Sequence, residues 1–555
     1  METLQRPVCD RKAPGAHPRF DHWDECHPEF SVTEIPSAQE SAASPDHARV
    51  TVSAPARDAS TPVLHWMLLG LSVAVTVALS IWAAARREVG VFIYGRVSYW
   101  LILALVMLWV WQISRLLVEQ RFNLVSFARR NWVPLVAALG MTAIAVSSVK
   151  PQFRVLSDET NLLAVSQSML YHKTVFNSTE QKRFYGWMNP LTFGVEKRPL
   201  VFPFFVQVIH SIRGYSPSNP FVLNAIALFT LLAMIGLVVG RSLGRTATVA
   251  AVVLVGSYPL IVTSGTSAGL DLLATVFTGL SFVLTYVYMR SPSGSRLALL
   301  FSTLLVFAQI RYETSVYVGL IGLSLLLFGY VRARFLREHF YLYCLAPFLL
   351  LPLQIQRILT PDSHENAAGT AAFSWTHLKN FLAIFLRAQG NTEFLLPHAP
   401  LLYWLAVPSL IFLFVRVLQR RASLDLPCKV HLLLMSLVAF AINYVIVFSF
   451  HGSDFTHPGA ARYFLNMSVL IALLPVFLHV QLPMLVTGPR LLLFAVGFAL
   501  VHHPISVQST IRSVCRASSR WCRSSYARPK SSGISCIVIT TPTFSSLSIA
   551  RDNSP

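Results

Sequence analysis

The chain reads as an all-α, multi-pass membrane protein with about 11–13 transmembrane helices and outer-face loops that carry amphipathic helices. Three observations predict this. Of 555 residues, 54% are hydrophobic and only 13% charged, too little charge for a soluble protein of this length. Apolar runs of about twenty residues recur, each able to cross ~30 Å of hydrocarbon. Lys and Arg gather in the short gaps between those runs, the pattern of cytoplasmic loops. The net charge of +20 is therefore read as membrane topology, and no nucleic-acid partner is expected.

Residues 1–62 are rich in Pro, Ser, Ala and His without helical or strand period, and are expected to form a disordered cytoplasmic tail. Cys9, His17, His22, Cys26 and His27 fit no zinc-ligand spacing. No cleavable signal peptide is expected, because about sixty polar residues precede the first apolar segment. The seven cysteines include no CxxC, and none lies in the long loops placed outside, so no disulfide framework is expected there.

Spans are expected near 63–84, 97–116, 132–149, 221–240, 247–263, 270–289, 297–310, 314–330, 341–359, 400–418, 430–449, 464–481 and 490–503. The first two, within 63–130, stand apart from the main membrane domain at 131–503. Five basic gaps fall on one side: Arg115 to Arg130, Arg241 and Arg245, Arg290 and Arg296, Arg332 to Arg337, and Arg416 to Lys429. That side is the cytoplasm, so loops 150–220, 360–399 and 450–463 face outward. Residues 504–555 turn Ser- and Arg-rich and break the charge rule, as a frameshifted or otherwise unnatural tail would, or a miscounted span.

Chemistry-bearing residues crowd the outer edge. Asp158 and Glu159 open a helix with Ser157 as N-cap, and Leu162, Val165 and Met169 along one face suit an amphipathic helix lying on the membrane surface. The acids fit either of two roles: first-turn partners of the helix dipole, or a general base and an orienting or metal-binding carboxylate. Lys197 and Arg198 precede Pro199, which can start a second helix; they could hold an anion or touch headgroups. Asp271 begins a span, where an acid needs a reason. Arg311 pairs in sequence with Glu313 across Tyr312, and Arg462-Tyr463 sits beside the last outer loop. There is no P-loop, GxGxxG or HExxH, which excludes an ATP-driven pump and a zinc metalloprotease.

The order of these motifs resembles the C-type glycosyltransferases (GT-C fold), in particular the bacterial relatives of protein O-mannosyltransferase and of the lipid A aminoarabinose transferase. The matching segments are Val155–Thr160, Lys197–Pro203, Ser267–Asp271 and Ala461–Leu465, within roughly 130–480. The resemblance implies an inverting transferase that moves a sugar from a polyprenyl-phosphate carrier to an envelope acceptor: lipid A, polysaccharide or a protein hydroxyl. It implies Asp158 as the acid activating the acceptor, with Glu159 beside it and Asp271 as a second acid. It implies Lys197, with Arg198 and Arg462, at the donor phosphate; Tyr463 and Arg311 are further candidates. A divalent metal is possible and no cofactor is certain. The expected location is the inner (plasma) membrane, with the site on the periplasmic face. Here Lys197-Arg198-Pro199 stands where the family usually has Lys-Pro-Pro, and two extra spans come first. A lipid or polysaccharide transporter or flippase is the alternative, although transporters place ionisable groups near the midplane and often show repeated halves. A degenerate, inactive membrane protein is a third reading.

Overall fold

The computed structural model describes residues 60–178, 181–184, 187–190, 194–360, 373–390, 409, 415, 427–450, 458–481 and 487–500. The chain divides into two units, Met1–Asp58 and Ala59–Pro555, and every described residue belongs to the second. The expected tails 1–62 and 504–555, the span 400–418 and most of loops 360–399 and 450–463 thus lie largely outside the described residues.

The protein is an all-α, multi-pass membrane protein. Six helices are long and apolar enough to cross a membrane: Leu64–Ala85, Arg87–Glu119, Asn219–Gly256, Asp271–Arg290, Phe340–Leu359 and Ala461–His479. Leu124–Arg130 and Trp132–Ser148 make a seventh if the 79° bend between them belongs to one span. The expected span 430–449 lies in the 23-residue helix Pro427–Ser449, while others are occupied by shorter apolar helices, Gly294–Ala308, Thr314–Leu327 and Gly488–Leu500. At 1.5 Å per residue such helices reach only about 20 Å. The expected spans 221–240 and 247–263 share one helical run, Asn219–Gly256, which bends at Gly244. There φ is 82°, a backbone conformation open to glycine and costly for other residues.

Three of the basic gaps collect at one end. Ser295 donates to Glu119 (2.9 Å), and a Cβ on Gly294 would sit 1.9 Å from Glu338, so three of the gaps meet. Asp271 and Arg290 mark opposite ends of one helix, which sets the acids away from the basic gaps. At the acidic end, loop 150–220 folds into helix Leu156–His172, two two-stranded antiparallel pairs (one of them Gln181–Phe184 with Trp187–Pro190) and helix Val201–Arg213. Phe176–Asn177 pairs antiparallel with Gly194–Val195, in register Phe176 to Val195 and Asn177 to Gly194.

Two details depart from the sequence reading. The helix bearing the acids starts at Leu156 with Val155 as N-cap: the Asp158 and Glu159 amides donate to the Val155 carbonyl (3.0 and 2.9 Å), so Ser157 does not cap it. Its apolar stripe does not lie on lipid. Leu162, Val165 and Met169 are buried in a cluster with Val201, Phe202 and Tyr99. Burying those side chains against protein fixes the helix, and with it the direction of Asp158.

Candidate functional site

The site forms where four segments converge on one end of the helices. Helix Leu156–His172 brings Asp158 and Glu159. Arg154 ties this helix to its neighbour: its guanidinium donates to the Thr263 carbonyl (3.0 Å) and the Thr266 hydroxyl (2.9 Å). Asn224 donates to the carbonyls of Ser267 (2.7 Å) and Gly269 (2.8 Å), fixing the turn that delivers Asp271 to the first turn of its helix. The strand Gly194–Val195 leads into Lys197 and Arg198. Pro199 lies two residues before helix Val201–Arg213, whose N-cap is Leu200, so the cations sit in an extended turn ahead of the helix rather than at its first position. The 3₁₀ turn Pro458–Phe464 presents Arg462 and Tyr463.

These segments enclose a cavity of about 310 Å³. Asp158, Asp271, Lys197, Arg198, Arg311, Arg462 and Tyr463 all line it. Of the residues singled out in the sequence, only Glu159 does not. It is 2% exposed and accepts a hydrogen bond from the Arg154 amide (2.9 Å), behind the turn that carries Asp271. The cavity also receives Tyr312 and Glu313, which follow Arg311 in the sequence, and Arg357, which the motifs did not mark. Among the described residues its walls hold five cations against three carboxylates, an excess of two positive charges.

The charges are interlocked. Asp158 bridges Arg198 through one carboxylate oxygen and Arg462 through the other (2.6 Å). Arg198 also reaches Glu196 (3.1 Å). Arg311 joins Asp271 and Glu313 (3.0 Å), so it is more than the local Arg–Glu pair that sequence spacing proposes. The Tyr463 ring lies between Arg311 and Arg462, 4.9 and 5.7 Å from their guanidinium carbons. Arg357 stacks on Tyr312 at 3.6 Å. Lys197 is exposed at the cavity wall, and its ammonium has no ion pair among the described residues.

Burial alone would raise the Asp158 carboxyl, but Arg462 and then Arg198 outweigh it and hold the group below the usual aspartate range. Glu159 behaves oppositely. Burial pushes it up to about 7, with Asp271 adding to the shift, against the pull of the Arg154 and Ala268 amides. A carboxyl raised in the folded state stabilises the fold most below its unfolded pKa. That stability is lost as pH rises from about 4.3 through the folded value near 7. Glu159→Gln keeps an oxygen for the Arg154 amide and removes the ionisation. Its melting temperature should therefore gain on wild type as pH rises from about 5 to 7. A difference between the two proteins that stays constant over that range would show that Glu159 does not titrate there.

The cavity does not present a donor set suited to a divalent cation. Each of its three carboxylates is bridged to an arginine, and the described residues contain no cluster of three or more His, Cys, Asp or Glu able to hold a metal. No step below is routed through a metal.

Residues 197–354 match the family model described as dolichyl-phosphate-mannose-protein mannosyltransferase. The matched stretch contains Lys197, Arg198, Asp271 and Arg311, and excludes Asp158, Glu159, Arg462 and Tyr463. Among solved structures, the chain is similar to ArnT from Cupriavidus metallidurans bound to undecaprenyl phosphate, with 11% identity over 69% of this chain and 78% of that one, at a TM-score of 0.40. The oligosaccharyltransferase of Archaeoglobus fulgidus in complex with zinc and sulfate is similar at 13% identity over 69% of this chain and 53% of that one, also at a TM-score of 0.40. No curated protein matches the chain. The resemblance is thus to the C-type glycosyltransferases.

Proposed function

We propose that the protein is a membrane glycosyltransferase that moves a sugar from a polyprenyl-phosphate carrier to a hydroxyl of an envelope acceptor, with inversion, on the extracytoplasmic side. The observation that carries this reading is the composition of the cavity: among the described residues, a surplus of cations surrounds Asp158 at one end of the helices. A lipid-linked sugar phosphate has a greasy tail for the bilayer and an anionic head for such a cavity. The match of residues 197–354 to a family that uses a dolichyl-phosphate sugar supports it.

The reaction needs a base for the acceptor and positive charge for the leaving group. Asp158 takes the proton as the acceptor oxygen bonds to the anomeric carbon. The bond from that carbon to the phosphate oxygen breaks, and the electron pair leaves on the phosphate. Lys197, the cavity cation with no carboxylate partner of its own among the described residues, meets the phosphate first. Arg198 and Arg462 complete the anion site. A phosphate that shares those two arginines loosens their hold on Asp158 and raises its basicity, so donor binding prepares the base. Asp271, held by Arg311, borders the sugar side of the cavity. Glu159, set behind the cavity, positions Asp158 and the turn before Asp271.

Loss of the protein from its native cell tests this reading through mass spectrometry of envelope glycolipids and glycoproteins. One acceptor should lose a single sugar mass in the deletion strain and regain it with the wild-type chain but not with an Asp158→Asn chain. An envelope unchanged in sugar content, with altered distribution of an intact lipid between leaflets, would instead identify a transporter.

A further inference from the structure

The turn Glu196-Lys197-Arg198 is held in an unusual way, and part of the hold comes from the two N-terminal helices that precede the region resembling a glycosyltransferase. Its three consecutive carbonyls are each capped by a side chain. Gln356 Nε2 donates to the carbonyls of both Glu196 and Arg198 at 2.6 Å. The Tyr94 hydroxyl adds a longer bond to the Glu196 carbonyl (3.3 Å), and the Tyr312 hydroxyl takes the Lys197 carbonyl. The amides of the same turn are satisfied from within: those of Lys197 and Arg198 donate to Glu196 Oε1 (2.9 and 3.1 Å), while Asn177 donates to Glu196 Oε2 (3.2 Å). All three carbonyls of the turn and the amides of Lys197 and Arg198 are thus engaged, and what remains for the cavity is the Lys197 and Arg198 side chains.

Tyr94 and Gln356 are both fully buried and both lie outside residues 197–354. Tyr94 sits in a π-helical turn, Ile93–Val97, that interrupts the second N-terminal helix. Such single turns often mark functional positions. The next residue, Gly95, accepts from the Val175 amide (3.1 Å) and lies so close to Phe176 that a Cβ there would overlap its ring. Only glycine allows the helix to approach the strand that pairs with Gly194–Val195 and so bring Tyr94 to Glu196. Gln356 commits its amide group to the carbonyls at the expense of its own oxygen, which has no partner among the described residues. A buried polar atom left unpaired is costly, so the position serves the donor end of the side chain.

We propose that Tyr94 and Gln356 are positioning residues for the donor phosphate: they turn the 196–198 carbonyls away from the anion and hold Lys197 and Arg198 toward it. Backbone carbonyls facing a phosphate would oppose it, so the clamp converts an ordinary turn into an anion site. The N-terminal helices thereby belong to the working unit. This rests on the reading of the cavity as a lipid-phosphate site.

The test is binding of a polyprenyl monophosphate to the purified full-length chain in neutral detergent, together with donor KM and kcat. Gln356→Leu, which removes two short bonds, should weaken binding about tenfold, and Tyr94→Phe, which removes one long bond, about threefold. Turnover at saturating donor should change less than about twofold, because the base is untouched. Tyr288→Phe is the control: it deletes an equally buried hydroxyl that holds the Tyr330 carbonyl (2.7 Å) away from the site, and should leave donor affinity unchanged. If Tyr288→Phe weakens binding as much as Tyr94→Phe, or if neither Tyr94→Phe nor Gln356→Leu weakens it, the clamp is overturned. If Gln356→Leu does not fold, Tyr94→Phe alone decides by the same criterion. Lys197→Ala separates this failure from that of the function. Normal binding by Lys197→Ala rejects the phosphate site itself, whereas loss of binding in Lys197→Ala with normal binding in both clamp variants rejects only the clamp.

Discussion

Asp158→Asn is expected to insert and fold like the wild type and to lose transfer about a hundred- to ten-thousandfold, the range ascribed to general acid–base groups. Asp158 sits beside the cavity rather than in a span, and asparagine keeps its shape and hydrogen-bonding oxygen. Two arginines engage the carboxylate, so removing its charge leaves Arg198 and Arg462 with more positive field for an incoming phosphate. Donor KM should therefore hold or fall while kcat collapses. The opposite split, a raised KM at unchanged kcat, would make Asp158 a group that merely arranges the two arginines. Steady-state transfer with purified protein across a range of donor concentrations distinguishes the two.

Loss of Lys197 or Arg462 should instead act through the donor. A charge-assisted contact to phosphate contributes about 1.5–3 kcal/mol, so Lys197→Ala should raise donor KM about ten- to a hundredfold. General contact with anionic headgroups predicts a smaller effect, about 1 kcal/mol per cation, that disappears in neutral detergent. Arg462→Ala should be the more damaging of the two. Its guanidinium bonds Asp158 at 2.6 Å, and its buried Nε has no partner among the described residues, leaving a donor for a ligand. Without Arg462, Asp158 keeps Arg198 alone, so kcat as well as KM should move, and the acidic limb of the pH–rate profile should shift upward as the carboxyl becomes easier to protonate. Wild-type donor KM for both variants in neutral detergent would remove the cations from the phosphate site.

Much of this architecture was legible in the sequence because membrane crossing imposes a coarse rule. Long apolar runs and basic gaps follow from hydrocarbon thickness and charge asymmetry, and they located both N-terminal spans and the helix beginning at Asp271. They could not separate a full span from a short buried helix such as Gly294–Ala308, because both are apolar all round. The cavity was partly legible as well. Asp158, Lys197, Asp271 and Arg462 stood out because charge beside an apolar run is costly, and the fold brings all four to one cavity. The pairing among them was not legible. Nothing in local spacing reveals that Arg311 reaches Asp271, forty residues away, or that Asp158 is shared by arginines 40 and 304 residues distant. The roles of Glu196, Tyr312 and Gln356 in holding the turn, and the presence of Arg357 in the cavity, escaped for a different reason. Glu196 stood next to the Lys-Arg pair, and Gln356 with Arg357 formed a polar step at the end of the Leu351–Leu359 helix. These were the available signals, but they mark a site only once the strand pairing and that helix end are known to meet.

The most direct test of the account is an experimental structure of the purified protein with a polyprenyl phosphate bound. The phosphorus should lie in the cavity beside Asp158, with phosphate oxygens about 3 Å from the Lys197 ammonium and from the Arg198 or Arg462 guanidinium, and the lipid tail should leave toward the bilayer. A phosphate bound elsewhere, with Asp158 still bridged to both arginines and Lys197 untouched, would contradict it.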